Sequence, residues 1–170
     1  FIDLFAGMGG FRLGFEQALL EHNKKPICVF SSEIKPYAIQ VYKDNYENED
    51  VAGDITQISS SEIPDFDVLL AGFPCQAFSS AGKRQGFLNT RGTMFFEVEK
   101  KKKKKRPKGF ILENVEGLVK HDLLNKNDEM GQTLTIILQS LKNLGYFVSW
   151  KVFDASYFGV PQARKRTYIT

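Results

Sequence analysis

Two cysteines, two histidines and one tryptophan are all that 170 residues hold of those types. Cys28 and Cys75 cannot build a disulfide framework, and the sequence has no CxxC pair. With so few soft ligands no metal site is expected. A reducing, intracellular setting is the default for such a chain. Long hydrophobic runs are scarce as well. No apolar stretch approaches the roughly 18 residues of a membrane span, so no membrane partner is expected. The opening Phe1-Ile2-Asp3-Leu4-Phe5 reads as a strand rather than a signal peptide. It also starts without Met, from which residues upstream are expected.

An excess of positive over negative charge is lacking outside one place. Lys100 to Lys105, Arg106 and Lys108 are eight cations in nine positions; without them the formal net charge of +3 becomes −5. The body of the chain is mildly acidic, so overall charge gives no argument for nucleic acid. The lysine run also interrupts the pattern around it. Arg91–Phe96 reads as the start of a helix, but its continuation lacks the apolar stripe a helix needs to cross a sheet. A solvated face is the simplest reading of the run, and a contact with DNA phosphates is the alternative.

What remains is ordinary in apolar content and rich in aromatics, long enough for one domain with a sizeable core. Strand-like runs occur at Phe1–Phe5, at Pro26–Phe30 ending near Glu33, at Asp67–Ala71 and at Gly109–Leu112 leading into Glu113-Asn114-Val115. Two more occur at Phe147–Phe153 and from Arg166, and Gly53-Asp54-Ile55 reads as a short strand or loop. Helical spacing appears in Phe11–Leu20, and in Pro36–Tyr46 with Tyr37, Ala38, Val41 and Tyr42 on one face. It appears again in Thr133–Leu144, through Leu134, Ile137, Leu138 and Leu141, with Gly145 as a C-cap. Alternating strands and helices predict an α/β fold with a parallel sheet covered on both faces.

Chemistry is expected at the strand ends. Asp3-Leu4-Phe5-Ala6-Gly7-Met8-Gly9-Gly10 joins strand to helix, and glycines there let the backbone approach a ligand. The loop departs from G-x-G-x-x-G, because the last position is Arg12; a dinucleotide cofactor and an oxidoreductase are disfavoured. Glu33, at the second strand end, can accept from ribose hydroxyls, and Asp54, at the next, from an adenine amino group. An adenosine-containing cofactor without a pyrophosphate suits this set. "AGFPCQAFSSAG", from Ala71 to Gly82, places Cys75 in a Gly/Pro/Ser loop after an apolar strand, whereas Cys28 sits within an apolar run and reads as a packed thiol.

With Pro74-Cys75-Gln76, Glu113-Asn114-Val115 and Gln162-Ala163-Arg164-Lys165-Arg166 in view, the chain resembles the C5-cytosine DNA methyltransferases of bacterial restriction–modification systems. The stretches that carry the resemblance are "FIDLFAGMGGFRLGFE", "SSEIKPYAIQVYKDNY", "GDITQI", "DVLLAGFPCQAFSSAG", "TRGTMFF", "RPKGFILENVEGL" and "DASYFGVPQARKR", in the family's order over nearly the whole chain. The resemblance implies a Rossmann-like, mostly parallel, doubly wound methyltransferase fold that binds S-adenosylmethionine at the strand C-termini. It implies that Phe5, Gly7, Met8, Gly9 and Gly10 line the cofactor loop. Glu33 would hold the ribose, Asp54 and Ile55 would face the adenine, and Gly72 and Pro74 would lie beneath the methionine portion. Ile34 stands where the family often has tryptophan, which implies weaker stacking on the adenine.

The resemblance also implies the reaction. A Cys75 thiolate adds to C6 of cytosine, which makes C5 nucleophilic. Glu113 protonates or hydrogen-bonds N3, best if burial raises its pKa. Arg166 binds O2, and Arg164 orders the catalytic loop and the thiolate. The cytosine must be flipped out of the duplex first. Gln76, Ser79, Lys83 and Arg84, on the loop after the cysteine, would contact double-stranded DNA; Asn114 is grouped with them and braces the loop. A cytoplasmic, nucleoid-associated location is implied. Family members continue into a target-recognition region and a final C-terminal segment, which are expected on a further stretch of chain or a partner chain. The alternatives are a cofactor-binding but inactive fragment or subunit, and a tRNA cytosine methyltransferase.

Overall fold

In a computed structural model the chain is described over residues 1–47, 49–73 and 107–170. Pro74, Cys75, Gln76, Ser79, Lys83, Arg84, the expected helix start at 91–96 and the lysine run up to Arg106 lie outside the described residues. The described part is built on one seven-stranded sheet. Its strands are β1 (Ile2–Leu4), β2 (Phe30–Ser32), β3 (Val51–Ala52), β4 (Val68–Gly72), β5 (Gly109–Val115), β6 (Trp150–Asp154) and β7 (Lys165–Ile169). Their order is β3-β2-β1-β4-β5-β7-β6. β3, β2, β1, β4 and β5 pair in parallel. The β5–β7 and β6–β7 pairs are antiparallel, so the sheet is mostly parallel, as the family resemblance implies.

Three helices are described: α1 (Gly10–Glu21), α2 (Pro36–Asn45) and α3 (Gln132–Asn143). α3 follows its sequence pattern closely. Leu134, Ile137, Leu138 and Leu141 are all buried against Ile2, Leu4, Leu69, Ala71, Phe110 and Leu112 of the central strands. It ends in a Schellman arrangement: Gly145, at φ 91°, donates to the Lys142 carbonyl, and Tyr146 donates to the Leu141 carbonyl.

The other face of β1 is different. Side chains alternate across a strand, so Asp3 points away from Ile2 and Leu4. On that side lie α1 and α2. The expected apolar stripes hold only in part here. In α1 the one fully buried residue is Arg12, while Leu13 and Leu20 are exposed. In α2 Ala38 and Tyr42, four residues apart, are buried, but Tyr37 and Val41 are not. A buried polar cluster, rather than an apolar seam, joins these helices to the sheet. Pro36 starts α2 at its first turn, where its missing N–H costs nothing.

β2 is shorter than the run from Pro26 suggested. It begins at Phe30; before it, Val29 donates to the Phe1 carbonyl and Cys28 contacts its neighbour Phe30 through its sulfur. Burial pushes the Cys28 thiol pKa up, as a packed thiol requires. No helix among the described residues is long and apolar enough to cross a membrane.

Candidate active site

The order of strands reverses between β1 and β4, and an open α/β sheet keeps its ligand crevice at the carboxyl ends of such neighbours. Five strand ends deliver residues there. β1 runs into the glycine loop, which turns through three left-handed residues: Phe5 at φ 56°, Gly7 at φ 56° and Gly9 at φ 86°. Phe5 is the costly one, since a non-glycine residue in a sparsely populated region stores on the order of 1–3 kcal/mol. Such outliers persist where surrounding contacts over-determine them.

Glu33 holds the loop two residues beyond Phe5, at Gly7. It follows β2 and is nearly buried. Its Oε2 accepts from the Gly7 amide at 2.9 Å; its Oε1 accepts from the Ile34 and Lys35 amides at 2.8 and 2.9 Å. A carboxylate offers about four acceptor directions, so one remains on Oε2 for a ligand hydroxyl. Ala6 donates to the Ser32 carbonyl at 3.0 Å, closing the loop onto β2.

Asp54 and Ile55 divide the next strand end between them. Asp54 caps a short 3-10 turn, accepting from the Thr56 amide at 2.9 Å, and its side chain is exposed. Ile55 is buried in the core cluster, so toward a ligand it offers its backbone. Ile34 is 59% exposed and Met8 62% exposed, two apolar side chains beside the loop with little cover. Gly10 opens α1, and a Cβ there would meet nothing within 4 Å.

Glu113 lies near the end of β5, opposite Gly72 on one side and Tyr168 on the other. Its Oε1 is 2.8 Å from Arg166 Nε, both side chains being about a fifth exposed (23% and 22%). A Cβ on Gly72 would sit 3.5 Å from Glu113 Oε2 and 4.0 Å from the Phe5 carbonyl. The carboxylate, the β4 end and the cofactor loop therefore converge. The antiparallel β7 makes this possible: Arg166 faces Val115 in register and returns its guanidinium to Glu113.

Asn114 is buried. Its Nδ2 donates to the Phe73 carbonyl at 2.9 Å and its Oδ1 accepts from the Val115 amide at 2.8 Å. Those bonds brace the exit of β4 one residue before Pro74. Arg164 is exposed. Its backbone amide donates to Asp154 Oδ1 at 3.1 Å, and its carbonyl accepts from Ala155. Asp154 also accepts from the Ser156 amide; these bonds hold its carboxyl below the usual range. The turn that carries Arg164 is thereby fixed to β6.

Sequence reasoning missed two features. Tyr168, next to Glu113 in register, packs edge-on to Phe11 with ring centroids 6.0 Å apart, which links β7 to the start of α1. Asp3 is 1% exposed and neither of its carboxylate oxygens has a hydrogen-bond partner among the described residues. Burial raises its pKa from 3.8 to about 7, against the pull of the Arg12 guanidinium and the Tyr42 hydroxyl. A lone acid in a strand pattern gives no sign of this.

Solved structures on the same frame are methyltransferases. The S. pombe Dnmt2 methyltransferase superposes with a TM-score of 0.70 at 22% identity, over 99% of this chain and 49% of that one. The Entamoeba histolytica methyltransferase EhMeth superposes with a TM-score of 0.74 at 20% identity, over 99% and 51%. The fold is thus a methyltransferase fold. The family model for the C-5 cytosine-specific DNA methylases matches residues 1–170, and the chain belongs to that family. Among curated relatives, the Type II methyltransferase M.NgoBV of Neisseria gonorrhoeae is 61% identical over 170 residues. M.BanI of Aneurinibacillus aneurinilyticus is 53% identical over 169. The chain spans 40% and 37% of their lengths.

Proposed function

We propose that the chain is the catalytic and cofactor-binding lobe of a DNA (cytosine-5) methyltransferase of the restriction–modification type. The observation that carries the reading is the Glu113–Arg166 pair, set at the β5 end against Gly72 and the glycine loop. Acid, cation and loop share one crevice, in an arrangement suited to a neutral pyrimidine that gains charge as it reacts.

S-adenosylmethionine, when bound, supplies an electrophilic methyl group. The described residues fit it. Glu33 keeps an acceptor direction for a ribose hydroxyl, Ile34 and Met8 offer apolar cover for an adenine, and the backbone at Gly7 and Gly10 leaves room for close approach. Gly72 forms the floor. Asp54 and Ile55 offer a carboxylate and a backbone edge at the adenine end.

On the substrate side, Cys75 adds to cytosine C6 and the electron density moves toward N3 and O2. Glu113 hands a proton to N3, while Arg166 donates to O2 and steadies Glu113. Arg164 orders the loop that holds the thiolate. After methylation the C5 proton leaves to water or hydroxide, and the Cys75–C6 bond breaks. Gln76, Ser79, Lys83 and Arg84 contact the DNA around the extruded base, and Asn114 holds the β4 exit from which that loop departs. Target recognition resides on sequence outside this chain.

The test is methyl transfer by the full-length protein from labelled S-adenosylmethionine to duplex DNA and, in parallel, to transfer RNA. The expected product is 5-methylcytosine in DNA. Label confined to the RNA, or cofactor bound with transfer to neither, contradicts the reading.

A further inference from the structure

Two carbonyls of the glycine loop are held from the C-terminal end of α2, by residues to which no role at the site has been given. Asn45 Nδ2 donates to the Met8 carbonyl at 3.0 Å, and the Tyr46 hydroxyl donates to the Gly9 carbonyl at 2.8 Å. Desolvation raises the Tyr46 pKa, which keeps the hydroxyl a donor through neutral pH. The Gly9 carbonyl also accepts from the Leu13 amide, the first bond of α1. It therefore points along the helix. Across the trans peptide plane, the Gly10 N–H points the opposite way, out of the helix start.

The Tyr46 ring is itself fixed. It fills the space a Cβ on Gly9 would take, only 2.2 Å from Tyr46 Cε2. The Arg12 guanidinium lies over its other side, 3.8 Å from the ring centroid. Arg12 is buried and fully engaged: Nε with Glu16 at 2.7 Å, Nη2 with Glu49 at 2.7 Å, and Nη1 with both Glu49 and the Tyr42 hydroxyl. The Arg12 that breaks the dinucleotide pattern thus faces inward, away from any ligand, and locks α1 to the end of α2.

We propose that Asn45 and Tyr46, the latter packed against an Arg12 guanidinium that Glu49 holds, are positioning residues that aim the Met8–Gly10 peptides at the cofactor and so set its affinity. This rests on the cofactor reading above. It adds that affinity is controlled from α2, through groups that need not touch the ligand.

The experiment uses the full-length protein with Tyr46→Phe, which removes one hydroxyl and keeps the ring, and Asn45→Ala at an exposed position as the second variant. Each is expected to raise the KM and Kd for S-adenosylmethionine roughly two- to tenfold, the loss of one hydrogen bond. Each leaves kcat at saturating cofactor within about twofold and speeds amide hydrogen exchange at residues 7–10. A merely structural role would lower the melting temperature and the active fraction without moving the KM. Wild-type affinity together with wild-type exchange in both variants overturns the proposal. Failure of the wild-type protein to bind S-adenosylmethionine overturns the cofactor reading and the affinity claim with it; faster loop exchange then still registers the clamp.

Discussion

Glu113→Gln is expected to lower the rate of methyl transfer by about 10²- to 10⁴-fold, the range over which a positioned acid accelerates a proton transfer. The substitution is close to isosteric. Its side-chain oxygen can still accept from Arg166 Nε, which sits 2.8 Å from the native carboxylate. Shape and the strand pairing with Gly72 and Tyr168 are retained. What is lost is the proton and the negative charge facing the guanidinium. Cofactor binding is expected to change by less than about twofold, because the loop is held through Glu33 rather than Glu113. Single-turnover rates on duplex DNA, with cofactor affinity measured separately, give both numbers. A rate loss under tenfold would remove Glu113 from the proton-transfer role.

The second large effect concerns stability. Asp3→Asn is expected to stabilise the fold at pH 8 and leave it little changed at pH 3.5. Asp3 is buried, and its pKa rises from 3.8 in the unfolded chain to about 7 in the fold. Burial is the cause; Arg12 pulls the other way, Tyr42 does the same, and Glu16 and Glu33 add to the rise. Below about pH 4 both states carry the proton and the group contributes nothing. Between about 4 and 7 the native state holds a proton that the unfolded state has released, so stability falls as pH rises. Above 7 the penalty is constant. A three-unit shift corresponds to about 4 kcal/mol at most. Urea unfolding of wild type and variant across pH 3.5–8.5 isolates the group by difference. The difference should grow with pH through that window and then level. A flat difference would show that Asp3 titrates normally in the fold.

Asp3 also shows where sequence reading stops. The run from Phe1 to Phe5 marks a strand correctly, and its loop marks a ligand crevice. That the middle residue is a buried acid with no ion-pair partner among the described residues follows from Arg12 being turned toward Glu16 and Glu49, which depends on where α2 ends. The same holds for α1. Its apolar spacing suggests a hydrophobic seam, yet Leu13 and Leu20 are exposed and the charged residue is inside. α3, with four leucines and isoleucines in step and Gly145 behind them, was readable because one face alone decides its packing. Glu33 and Glu113 were readable as strand-end acids. Their partners were not: the amides that Glu33 binds are set by the turn, and Arg166 reaches Glu113 only because β7 runs antiparallel between β5 and β6. Strand direction is fixed by connections and neighbours, not by the residues of the strand itself.

The central claim is a reversible bond between the Cys75 sulfur and C6 of a cytosine. Its most direct test is incubation of the full-length protein with S-adenosylmethionine and duplex DNA carrying 5-fluorocytosine, where the C5 substituent cannot leave as a proton and the adduct is trapped. The expected result is a denaturation-resistant protein–DNA complex whose cross-linked peptide contains Cys75, absent from Cys75→Ser. An adduct that forms at wild-type level in Cys75→Ser, or maps to another residue, would contradict the account.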